Sequence, residues 1–349
     1  MKRFFIFAVV MALLYSCKKE VKYAVRSEKI SCDIKLKTTP IKNQDASSLC
    51  WVYAMLATIE TEHLMQGDSV NLSPDYVARM YLMEQANQRL LSKKRHAVWG
   101  NSADGITTRG MSAMAIDLIQ TYGLQHFDAY HRREETNYNV IARKLNQMVM
   151  APKAFSLSSV QGEINEMLDK EINLLPKQVF MFGAIYTPQE FARSVCRADE
   201  YVALTSFLHH PFGEQFTLEV PDNYFHNTFL NVPLNTMMEQ IERTVRSGHP
   251  VCWEGDTSEN GFLFNEGIAR NDDESMVITP KVRQKAFENH QTTDDHCMAI
   301  VGMGHDKQGN KYFLCKNSWG KNNRYGGYMY LSHKYVMYKT IAVYLPKID

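Results

Sequence analysis

The chain has 349 residues, and its 39 Lys+Arg against 38 Asp+Glu leave no electrostatic footprint for nucleic acid. With 45% hydrophobic residues it can bury a large core or two packed lobes, and beyond an amino-terminal run no stretch is apolar for long enough to span a bilayer as a helix. Seven cysteines, at 17, 32, 50, 196, 252, 297 and 315, form neither a CxxC pair nor a Cys/His cluster at zinc spacing, so the sequence points to no metal.

The first element is an export signal. Lys2 and Arg3 make a positive start, Phe4 to Leu14 is an apolar run of signal-peptide length, and Leu14-Tyr15-Ser16-Cys17 resembles the lipobox of bacterial lipoproteins. That resemblance implies removal of residues 1–16, acylation of Cys17 and a lipid-anchored place in the bacterial cell envelope. Acyl chains at about 0.8 kcal/mol per buried methylene can anchor a protein without a transmembrane helix. Residues 17–37 then read as a tether.

Val52, Met55, Leu56, Ile59 and His63 predict a helix over 50–65, stopped by Gly67. Ser73-Pro74-Asp75 supplies a capping Ser, a Pro at the first helical position and an acid in the first turn. Met111, Met114, Ala115, Leu118, Ile119 and Tyr122 form one helical stripe closed by Gly123, and this Met-rich stripe reads as core. Further amphipathic patterns lie near 140–149 and 160–175. Thr187-Pro188-Gln189-Glu190 is another capped start, and a helix over 234–245 ends before Gly248.

The last hundred residues change character. Pro250 to Glu254, Cys297 to Val301, Lys311 to Lys316, Gly327 to Leu331 and Thr340 to Leu345 are short β-rich runs, with Asp306 to Asn310 as a hairpin turn. Helices followed by strands predict an α+β fold with a cleft where the lobes meet. The expected division of residues 38–349 is a helical lobe over about 38–125, a helical insertion over about 126–235 and a β lobe over about 236–349.

The chemistry concentrates in two places. Gln44-Asp45-Ala46-Ser47-Ser48-Leu49-Cys50-Trp51 opens the first helix. A Cys at a helix N-terminus meets the positive end of the dipole and unpaired N–H groups, and both favour the thiolate, the form that attacks a carbonyl carbon. The oxyanion that follows needs donors, which the Cys50 N–H and the Gln44 side-chain amide can supply, one such donor being worth about 3–4 kcal/mol. His296, at the start of a predicted strand, is the candidate base. Asn317, in Asn317-Ser318-Trp319-Gly320, can accept the imidazole N–H and set its orientation, with Trp319 shielding that bond. Thiolate and imidazolium would titrate as a pair.

These boxes, with Thr39-Pro40-Ile41-Lys42-Asn43 before Gln44, resemble the active-site boxes of papain-like cysteine peptidases. His296 lies 246 residues beyond Cys50, against about 130–150 in the papain and cathepsin pattern. That interval resembles the bleomycin hydrolase and aminopeptidase C branch. Leu72-Ser73-Pro74-Asp75-Tyr76, Tyr122-Gly123-Leu124, Tyr201-Val202-Ala203-Leu204, Asn231-Val232-Pro233 and Gly248-His249-Pro250-Val251 agree with it. The resemblance implies a two-lobe fold, peptide substrates, and hydrolysis through a thioester acyl-enzyme without a cofactor. It assigns substrate contacts to Ser48, Trp51, Gly110 and Asp295.

The chain also departs from the pattern. Ser47 replaces a Cys that pairs in many relatives, and Ser48 stands where Gly is usual. Arg109 replaces the first Gly of a Gly-Gly pair whose role is to let the non-primed substrate backbone approach. Arg109 is expected either to narrow those subsites or to point into solvent. In bleomycin hydrolases a C-terminal arm lies in the cleft and restricts cutting to the amino end. The expectation here is that this arm is missing or very short, which leaves both aminopeptidase specificity and the hexameric cage of those relatives open. Three readings follow: an aminopeptidase, an open-cleft endopeptidase, or a non-catalytic lipoprotein that uses the fold for binding. Cys252, Cys297 and Cys315, in apolar runs, are expected to be buried small hydrophobes.

Overall fold

In the computed structural model, which describes residues 29–95, 105–150, 157–181 and 183–347, the β-rich runs of the carboxy-terminal third join an eleven-stranded sheet. Its centre is β10 (His296–His305), flanked by β7 (Val251–Gly255) and β11 (Lys311–Lys316), both antiparallel to it. β10 and β11 are joined by the predicted turn, where the Asp306 carboxylate accepts the N–H groups of Gln308 and Asn310 at 2.9 Å each. β12 (Tyr328–Ser332) extends the sheet beyond β11, and β13 (Thr340–Pro346) pairs with the other edge of β7. The signal run and Cys17 lie outside the described residues.

The helix that carries Cys50, α1 (Cys50–Gln66), packs across β10. Residues from Cys50 through Glu62 are all buried, so this helix has no polar face. The reason is position: the sheet lies on one side and the helical lobe on the other. That lobe is built by α2 (Pro74–Arg95) and α3 (Ser112–Tyr122), which share one core with α1. Gly67, at φ +99°, ends α1 as expected by returning its N–H to His63 and Leu64. A second core lies under α7 (Leu234–Arg246), whose Met237, Met238, Ile241 and Val245 meet Trp253, Met298 and Ile300 of the sheet. Each such side chain, fully buried, contributes about 1.5–3 kcal/mol.

Two expected boundaries do not hold. The tether drawn over residues 17–37 contains a strand, β1 (Ser31–Lys35), which pairs antiparallel with the far half of β10. Sequence pattern does not show it, because its burial is slight and its stability comes from the partner strand. The insertion drawn as helical over 126–235 does contain α4 (Tyr138–Met150), α5 (Leu157–Glu171) and α6 (Pro188–Val195). It also contains the small hairpin β2 (Val179–Met181) and β3 (Ala184–Tyr186), and three strands of the main sheet. These are β4 (Tyr201–Thr205), β5 (Gln215–Thr217) and β6 (Thr228–Asn231), with β4 zipped to β13. The second half of the insertion therefore belongs to the sheet lobe.

Buried charges tie these parts together. Glu60 of α1, fully buried, takes Lys42 at 2.5 Å and the Leu72 N–H at 2.7 Å, and its other oxygen accepts from the Thr39 hydroxyl. Arg79 of α2 reaches Asp169 of α5 at 2.7 Å and the Asn173 carbonyl at 3.0 Å, anchoring the insertion helices to the lobe.

Candidate active site

Cys50 is the first residue of α1, with Leu49 at the N-cap. No side chain caps the turn and it holds no acid, so the positive helix end is left to the sulfur. Facing it from the sheet lobe is the first residue of β10, His296, which borders one cavity with Cys50. His296 places Nε2 2.8 Å from Asn317 Oδ1, just past the end of β11. Register explains this meeting: Ala299 pairs with Lys316, so the start of β10 and the end of β11 are neighbours. With Nε2 committed to Asn317, Nδ1 is the nitrogen left for proton transfer with Cys50. The Trp319 ring lies 4.4 Å from the imidazole, centroid to centroid, and is backed by Phe264 at 5.3 Å and Phe262 at 5.7 Å.

The Cys50 thiol is held well below the usual thiol range. A hydrogen bond from the Cys297 thiol is the largest cause; burial opposes it, and the hydrogen bond and charge of His296 add to it. Cys297 is itself pushed well up, first by burial and then by that same hydrogen bond. The expected buried hydrophobe thus also acts on the Cys50 sulfur.

Gln44 is buried and bound to the sheet lobe. Its N–H donates to the Ser318 carbonyl at 2.8 Å, and its Oε1 accepts from the Ser318 hydroxyl at 2.6 Å. Nε2 donates one hydrogen to the Ser47 carbonyl at 2.7 Å and keeps a second for an oxyanion. Ser318 therefore orients Gln44, a role legible only afterwards in the Asn-Ser-Trp-Gly box.

A cavity of about 200 Å³ opens beside Cys50, and Ser48, Gly110 and Asp295 line it. Trp51 does not: it is fully buried, donates Nε1–H to the Thr108 carbonyl at 3.0 Å and packs edge-on to Tyr81. It offers no surface to a substrate, because the helix start turns it inward. Gly110 serves this packing too, since a Cβ there would sit 2.9 Å from the Trp51 ring. Asp295 turns Oδ1 to the Thr257 N–H at 2.8 Å, and loss of water around its carboxyl pushes it up to about 6.

Arg109 lines the cavity with its side chain half exposed, and its Nε lies 3.0 and 3.1 Å from the two oxygens of Asp222. Asp222, from the insertion, and Asp294 also line the cavity, and neither was singled out from sequence. Asp294 was adjacent to a residue that was; Asp222 carried no local signal. Burial raises both carboxyls, Asp294 strongly. Away from the cleft, His209 and His210 lie 3.2 and 2.6 Å from the Glu219 carboxylate.

Comparison with known proteins gives a consistent family. The model of the Peptidase C1-like family matches residues 176–345. Aminopeptidase G of Lactobacillus delbrueckii subsp. lactis is 26% identical over 196 residues, covering 53% of this chain and 41% of that protein. Aminopeptidase W of the same organism is 22% identical over 361 residues, covering 90% of this chain and 82% of that protein. The crystal structure of pepw from a Lactobacillus superposes over 92% of this chain and 83% of that one, with a TM-score of 0.72 at 17% identity. That likeness speaks to the fold.

Proposed function

Because the chain is a papain-like cysteine peptidase of the aminopeptidase C branch, we propose that it removes residues from the amino end of peptides through a thioester acyl-enzyme on Cys50. The Cys50 thiolate attacks the scissile carbonyl, and the oxyanion takes hydrogen bonds from the Cys50 N–H and the second hydrogen of Gln44 Nε2. Imidazolium Nδ1–H of His296 then gives its proton to the departing amine as the C–N bond breaks. Water enters, Nδ1 takes its proton, and the hydroxide splits the thioester, returning Cys50 as thiolate and His296 as imidazolium. Asn317 remains neutral throughout and holds the ring by Nε2.

The observation that carries this reading is the 2.8 Å bond from His296 Nε2 to Asn317 Oδ1, which leaves Nδ1 for the sulfur beside it. Exopeptidase action is favoured over an open-cleft endopeptidase by the similarity to aminopeptidases G and W. An unblocked peptide digested by the purified chain should yield a ladder shortened from its amino end, read by mass spectrometry. Cys50→Ala should lower turnover by at least about four orders of magnitude, as loss of a covalent nucleophile does. Internal cuts would replace the aminopeptidase with an endopeptidase, and undiminished turnover in Cys50→Ala would end the peptidase mechanism.

We further propose that Cys17 carries the lipid anchor read from Leu14-Tyr15-Ser16-Cys17. Full-length chain expressed in a bacterium should partition with membranes and incorporate labelled palmitate, and Cys17→Ala should lose both. A wild-type chain that takes up no label would sink the anchor.

A further inference from the structure

The cavity beside Cys50 is lined by more carboxyl groups than it has cations to match. Asp222, Asp294 and Asp295 face it, and apart from His296, which serves Cys50, Arg109 is the cationic side chain among its lining residues. That cation is spent on Asp222, at 3.0 and 3.1 Å.

Asp294 has another carboxyl behind it. Glu254, on β7, is 0% exposed; its Oε2 accepts from the Tyr344 hydroxyl at 2.8 Å and the Ser112 N–H at 3.3 Å. Its Oε1 meets no donor, and neither does Asp294 Oδ2. Burial raises both carboxyls, and the neighbouring Glu254 raises Asp294 further. A wholly buried carboxyl thus stands unpaired with any cation under a cavity-lining one. Leaving such oxygens without a donor is costly, and a charged donor from outside would satisfy them.

Position narrows the donor. Gly110 lines the same cavity, whereas Gln44 and Trp319 do not. The cavity therefore lies on the acyl side of the attacked carbonyl, where the substrate runs toward its amino end. The Arg109–Asp222 pair joins the helical lobe to the insertion and forms part of the same wall.

Building on the reading of Cys50 as nucleophile, we propose that this cavity seats the free α-ammonium group of the substrate, with Asp294 and Asp222 as its acceptors and the Arg109–Asp222 pair closing the cleft beyond it. An ammonium fits because it brings three donors and a positive charge to a wall of acceptors. Selection for the amino end would then come from side chains within the two lobes and the insertion.

The test compares three fluorogenic substrates, Leu-aminomethylcoumarin, N-acetyl-Leu-aminomethylcoumarin and N-acetyl-Lys-Leu-aminomethylcoumarin, on the full chain and on Asp294→Asn, which keeps the side-chain shape. The wild type should prefer the free amine, and Asp294→Asn should raise KM for it about tenfold or more, the loss of one hydrogen bond to a charged group, while kcat is kept. Asp222→Asn, which also frees Arg109, should raise the same KM. Iodoacetamide labelling of Cys50 is measured in every variant, so that a lost nucleophile is distinguished from a lost pocket. Equal losses on free and acetylated substrates, or no change in KM, would overturn the proposal. So would a preference for N-acetyl-Lys-Leu that Asp294→Asn abolishes, which would make the cavity a pocket for a basic side chain. A wild type unlabelled at Cys50 would overturn the nucleophile reading on which the pocket rests.

Discussion

Cys297 follows His296 directly, and the two residues act on the same sulfur in different ways. His296 supplies charge and a hydrogen bond; the Cys297 thiol supplies the hydrogen bond that does most to hold Cys50 below the usual thiol range. Alternation along a strand would send neighbours to opposite faces. Both reach Cys50 because the helix N-terminus arrives at the end of β10 rather than over one face. A depressed thiol stays ionised as pH falls until its own folded value is crossed. Alkylation of Cys50 by iodoacetamide, followed by peptide mass spectrometry, should therefore persist to acidic pH. In Cys297→Ala the midpoint should move up, because a donor to the thiolate is gone. An unmoved midpoint would mean that His296 and the helix end suffice.

Strand β1 shows how an element can be held by a neighbour rather than by its own pattern. Its residues Ile34 and Ser31 place their carbonyl oxygens 2.2 and 2.3 Å from where a Cβ would stand on Gly302 and Gly304 of β10. Only glycine admits so close a backbone. Gly302→Ala should push β1 off the sheet and destabilise the chain by on the order of 2 kcal/mol, as overpacking does. The check is a lower urea midpoint, together with faster proteolysis around residues 29–37 than elsewhere; an unchanged midpoint with β1 still protected would refute it. Other elements needed no such partner. The capping box at α6, in which Thr187 and Glu190 exchange hydrogen bonds, is written wholly in Thr187-Pro188-Gln189-Glu190.

At the scale of the whole molecule the cleft is assembled from three parts of the chain. The helical lobe brings Gln44, Cys50 and Arg109; the sheet lobe brings Glu254, Asp294, His296 and Asn317; the insertion brings Asp222. Lys42, Thr39 and Leu72 converge on buried Glu60 and hold the approach to the site against α1, while Ser318 ties Gln44 to the sheet lobe. Among the described residues no helix is long and apolar enough to cross a membrane.

What the sequence determined by itself was everything that acts over a few residues. Helix starts and stops, the Asp306 turn, the order of strands in the last third and the placing of Cys50 at a helix head all depend on local backbone preference and on side-chain spacing. The meeting of Cys50, His296 and Asn317 was legible too, through motif boxes whose order is distinctive. What only the tertiary structure decided depends on parts of the chain far apart in sequence. Arg109 finds Asp222 across 113 residues and Asp294 finds Glu254 across two strands. Trp51 turns inward although Cys50 beside it borders the cavity, and β1 exists because β10 leaves it room. Burial and charge pairing are properties of a neighbourhood, and a neighbourhood is set by packing rather than by adjacency along the chain.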